Sequence, residues 1–120
     1  MENIENSKKA RGLYKKMDDA NKALYDEIMQ KSIISDLEKF TKKELAYLTD
    51  LYERKVKEVK SADKELDEKD VLTVALAIKL KATVLKKHMN LGKYRYAKAN
   101  QLTNEQKIAA RTKLNRICKI

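Results

Sequence analysis

The sequence has no proline and no tryptophan, and only two glycines, one cysteine and one histidine among 120 residues. So little turn chemistry disfavours a sandwich or barrel of short strands. A single cysteine, Cys118, rules out an intramolecular disulfide framework and a cysteine-based zinc site, and it fits a reducing cytoplasm or an incidental thiol. His88 has no His, Cys or carboxylate at metal-ligand spacing and reads as a helix-end residue. Gly12 and Gly92 stand alone, so there is no glycine-rich phosphate loop. No long hydrophobic run exists either. The longest, residues 71–85, is interrupted by Lys79 and Lys81 and falls short of the roughly 20 apolar residues needed to span a bilayer. Residues 1–12 are polar and carry no secretory signal, so the expected location is the cytoplasm. Adjacent carboxylates such as Asp18 and Asp19 point different ways on a helix, and Cys118 has no base or orienting group beside it. No catalysis, metal or cofactor is expected.

What is present is 42% hydrophobic and 38% charged residues at helical spacing. Leu13, Met17, Ala20, Leu24 and Ile28 share one face of a first helix. Residues 32–40 continue that helix in bent form or make a short one of their own. Thr41 followed by Glu44 is a capping box, and Phe40 with Leu45 is a hydrophobic staple, so a helix starts there. Leu45, Leu48, Tyr52, Val56 and Val59 carry it to about Lys60. Residues 61–70 are polar and acidic and form the turn to the next helix, with Asp67 or Asp70 as its cap.

Residues 71–90 carry two patterns. Val74, Leu76, Ile78, Leu80, Ala82 and Val84 alternate as a strand would. Leu72, Ala75, Ile78, Ala82, Leu85 and Met89 fit a helix, which the length, the Ala, Leu and Lys content and a glycine stop at Gly92 favour. Such a segment, apolar nearly all round, must be central in the domain or covered by another chain, and a homodimer through it is one expectation. Thr103 with Gln106 is a second capping box, opening a last helix with Ile108, Leu114, Ile117 and Cys118 as apolar positions. The whole chain, 1–120, is expected to be one all-α domain, a small bundle of about four helices.

The formal net charge of +10 is unevenly placed. Residues 1–70 hold 16 basic and 17 acidic residues, a balance of −1, while residues 71–120 hold 12 basic residues and one acidic, a balance of +11. A field this segregated steers anionic partners. Two places concentrate it. Lys93, Tyr94, Arg95, Tyr96 and Lys98 interleave cations with aromatics, as surfaces that pair with phosphates and stack on bases do. On the last helix, Lys107, Arg111, Lys113 and Arg116 give basic edges. The plainer alternatives are a solvated face, tyrosines closing a small core, and the acidic patches of the first half (Asp18, Asp19, Asp26, Glu27 and Asp63 to Asp70) facing the basic helices.

Only five of the 28 basic residues are arginine, which argues against sequence-specific base reading. Residues 41–52 look superficially like the start of a helix-turn-helix, but apolar periodicity runs unbroken from Leu45 to Val59 and no short turn intervenes. In composition across its length, the chain resembles the small accessory proteins of phages that infect low-GC bacteria. That resemblance implies a non-catalytic, stoichiometric inhibitor or modulator of a host protein, of anti-host or anti-defence type, with an acidic-surfaced protein as partner. The alternative expectation is a nucleic-acid binder making mainly phosphate contacts.

Overall fold

The computed structural model describes residues 12–31, 33–62, 64–88 and 101–117. These form a helical turn at Gly12, Leu13 and Tyr14, then five helices: α1 (Asp19–Gln30), α2 (Ile34–Leu37), α3 (Lys42–Ser61), α4 (Glu68–Lys86) and α5 (Asn104–Ile117). The fold is all-α, as expected. Residues 71–85 are helical, not a strand, and the first-half pattern resolves into more pieces than its spacing suggested.

The single helix expected over Leu13 to Ile28 is split at Asp18. Asp18 adopts an extended backbone and its carboxylate accepts from the Asn21 amide at 2.8 Å, so it caps a new helix instead of continuing an old one. Leu13 and Met17 still reach the same core as Ile28. The inward face is rotated from the expected one: Ala20 is exposed, Leu24 half-buried, and Tyr25 is buried edge-on to Tyr14 with ring centroids 5.5 Å apart. Residues 32–40 yield the short helix α2.

The capping box of α3 is formed in both directions, Glu44 N–H to Thr41 Oγ1 at 3.1 Å and Thr41 N–H to Glu44 Oε1 at 2.8 Å. Phe40 and Leu45 lie in one apolar cluster, completing the staple. At the other end Ser61 Oγ donates to the carbonyls of Lys57 and Glu58. Helix α4 begins with a second reciprocal box, Asp67 with Asp70. It ends at Lys86, earlier than the expected stop at Gly92, which lies outside the described residues. His88 takes the left-handed conformation there, with φ 55°, and is the helix-end residue the sequence suggested.

Helix α4 is the central element, packed against α1, α2 and α3. Its first half places Val71, Val74 and Ala75 in a cluster with Leu13, Met17, Tyr25, Ile28, Val59 and Leu66. Its second half places Leu76, Ala77, Leu80 and Val84 in another with Leu37, Phe40, Leu45, Leu48, Tyr52, Ala110 and Leu114. Val56 and Leu72 pack on both and join them. Burying each large apolar side chain stabilises the fold by roughly 1.5–3 kcal/mol. Most apolar side chains of 71–85 therefore face this chain's own helices, with Leu85 the exception at 48% exposed.

Candidate functional site

The charge excess beyond Asp70 is largely engaged inside the fold where it falls on α4. Lys79, only 7% exposed, donates from Nζ to the carbonyls of Met29 and Lys31, both at 2.8 Å. It thereby caps the C-terminal end of α1 from another helix, a favourable place for a cation. Burial pushes its pKa below the usual lysine value. Lys81 pairs with Glu53 at 3.9 Å, Lys86 with Glu38 at 2.7 Å, and Lys87 Nζ reaches the Phe40 carbonyl at 3.4 Å. These two carboxylates, Glu53 and Glu38, belong to the first half of the chain but lie outside the acidic patches expected to face the basic helices.

Helix α5 differs. Thr103 and Gln106 cap it reciprocally, at 2.8 and 3.1 Å. Against α2 and α3 it fully buries only Ala110 and Leu114, with Ile117 partly packed. Two of its basic residues lean inward: the Lys107 ammonium lies 5.7 Å from the centroid of the Tyr47 ring and that of Lys113 lies 4.5 Å from that of Phe40. Such cation–π contacts attach the helix edges to the bundle. Arg111 and Arg116 instead are exposed and have no ion-pair partner among the described residues. Of the nine expected contact residues, two are thus exposed cations and two lie over aromatic rings of the bundle. The other five, Lys93, Tyr94, Arg95, Tyr96 and Lys98, lie outside the described residues.

The residue missed by sequence reasoning is Ile108. Expected as a core position, it is 54% exposed. At 3.6 residues per turn, Ala110 and Leu114 define the inward direction and Ile108 and Thr112 point nearly opposite. The missed signal was the narrowness of the apolar stripe: Ile108 and Leu114, six residues apart, cannot share one face. Glu105, Thr112 and Asn115 accompany Ile108 outward, and all are exposed. The site is thus a polar, net-positive helix face with one large aliphatic side chain near its middle.

Among the described residues, no three His, Cys, Asp or Glu side chains are grouped as metal ligands would be, and no helix is long and apolar enough to cross a membrane. No protein-family model, curated protein or solved structure matches this chain.

Proposed function

We propose that the chain is a non-catalytic protein-binding module, a stoichiometric modulator that meets an acidic partner surface through the outer face of α5. The observation that supports this best is the exposed Ile108 set beside Arg111 and Arg116, which have no ion-pair partner among the described residues. An aliphatic anchor ringed by arginine and small polar groups has the anatomy of an interface centre with a polar rim. Arg111 and Arg116 supply the electrostatic steering toward carboxylates. The engagement of Lys79, Lys81, Lys86 and Lys87 within the fold also leaves fewer cations for phosphates than +10 implies. In keeping with the compositional resemblance to phage accessory proteins, occlusion of a host protein's working surface is the mechanism that needs no chemistry of this chain's own.

One observation favours a second reading. Asn104, Arg111 and Asn115 are exposed on α5, and these are side-chain types that read base edges in a groove. Titration with random duplex and single-stranded DNA at two salt concentrations, beside capture from a nuclease-treated bacterial lysate, separates the two. A stable nuclease-resistant complex with one protein is expected. Micromolar DNA binding that falls steeply with salt, with no protein retained, would establish the second reading instead.

A further inference from the structure

The outward face of α5 is self-complementary. Glu105, Ile108, Thr112 and Asn115 are spaced three, four and three apart, a seam that reads the same in both directions about Ala110. Laid antiparallel on a second α5, Ile108 falls opposite Thr112 of the other copy and Glu105 opposite its Asn115. The Thr112 hydroxyl donates back to the Ile108 carbonyl at 2.9 Å, which leaves its methyl for the apolar contact. Arg116 lies on the same side of the seam as Glu105 and within one residue of level with it across the two-fold. All these side chains are exposed, and neither Glu105 nor Arg116 has an ion-pair partner among the described residues. Antiparallel pairing also sets the positive N-terminal end of each helix beside the negative C-terminal end of the other.

We infer that α5 pairs with α5 of a second copy of this chain, antiparallel about a two-fold at Ala110, with Ile108 at the centre and Glu105–Arg116 ion pairs on the flank. An isologous interface of this kind presents one patch twice. It uses the face proposed for the acidic partner, but it is measured on the chain alone, so either idea can fail without the other. With one isoleucine per copy and a repulsive net charge, the association belongs to the weak, small-area class, with a dissociation constant of about 10–100 μM.

Sedimentation velocity on the full chain, from low to high micromolar concentration at 150 mM salt (about an 8 Å screening length), tests it. The wild type should shift from 13.9 kDa toward twice that mass as concentration rises. Glu105→Arg and Arg116→Glu should each weaken association at least tenfold, because each places like charges across the two-fold. Mixing the two variants one to one should restore it, since both cross-pairs become opposite in sign. Circular dichroism on each variant confirms that the helices are retained. A wild type that stays monomeric throughout, or single variants that dimerise as well as wild type, or a mixture that does not recover, overturns the proposal.

Discussion

Lys79 offers the sharpest test of how the fold places its charge. Its stem crosses the interface between α4 and α1, and its ammonium rests on the carbonyls of Met29 and Lys31. Lys79→Ala removes three buried methylenes, about 2.4 kcal/mol at roughly 0.8 kcal/mol each, and leaves a gap besides, so a loss of about 3 kcal/mol is expected. Lys79→Met keeps the stem's length. It forfeits two charge-assisted hydrogen bonds of about 1.5–3 kcal/mol each, but it also removes a desolvation cost of several kcal/mol. The two effects are of similar size, so the methionine variant should lie within about 1 kcal/mol of wild type. Urea unfolding followed at 222 nm at neutral pH reads both values. The pH dependence carries an independent sign. Burial lowers the Lys79 pKa from its ordinary 10.5, so at neutral pH the folded state bears the full cost of holding the charge. As pH rises through the folded value toward 10.5, the folded protein sheds this proton before the unfolded chain does, and the cost is relieved. Wild type should therefore gain stability relative to Lys79→Met over that window. A methionine variant as damaging as alanine, or a difference that moves the other way with pH, would refute the reasoning.

Three further outcomes follow from the same geometry. Thr49 is fully buried in α3 and its hydroxyl has no hydrogen-bond partner among the described residues, so Thr49→Val should stabilise by about 1 kcal/mol in urea unfolding; a clear loss would refute this. Asp67 has its carboxyl pKa lowered from the ordinary 3.8, first by the hydrogen bond from the Asp70 backbone and also by the nearby Lys64, so its stabilisation is present above that value and fades as pH falls through the lowered one. Asp67→Asn, which keeps a capping oxygen, should flatten this part of the acid-unfolding curve, and an unchanged acid limb would count against the assignment. Leu114→Ala should cost about 2–4 kcal/mol, and hydrogen exchange should show α5 opening before α4 in the wild type because its fully buried side chains are two; equal protection of both helices would argue against α5 as the loosely held element.

The local features of the fold were legible wherever neighbouring residues decide them. The boxes at Thr41 and Thr103 depend on a spacing of three that the sequence displays directly. The cap of α4 is narrowed there to Asp67 or Asp70, and the helical character of 71–85 follows from length and composition, since its spacing fits a strand as well. Asp18 falls within an unbroken apolar repeat from Leu13 to Ile28, and that repeat is a stronger pattern than the cap its carboxylate makes on the Asn21 amide. Lys79 looked like an interruption of an apolar run. Its partners are carbonyls about fifty residues away in the chain, and no local rule finds them. Ile108 was misplaced for a related reason: α5 makes its contact through Ala110, a residue whose small size hides its importance in any hydrophobic pattern. Arg111 and Arg116 are exposed, whereas Lys107 and Lys113 on the same helix lie over the rings of Tyr47 and Phe40, a difference that the basic pattern of the sequence does not display.

The outer face of α5 is the surface proposed to meet a protein partner. Capture from a nuclease-treated lysate of a low-GC bacterium, run side by side with wild type, Ile108→Asp, Arg111→Glu and the remote α1 variant Glu27→Gln, tests this directly. One protein should be retained in near-stoichiometric amount by wild type and Glu27→Gln, and its recovery should fall at least tenfold with Ile108→Asp and with Arg111→Glu. Retention that is indifferent to both α5 substitutions, or no retained protein with wild type, would contradict the account.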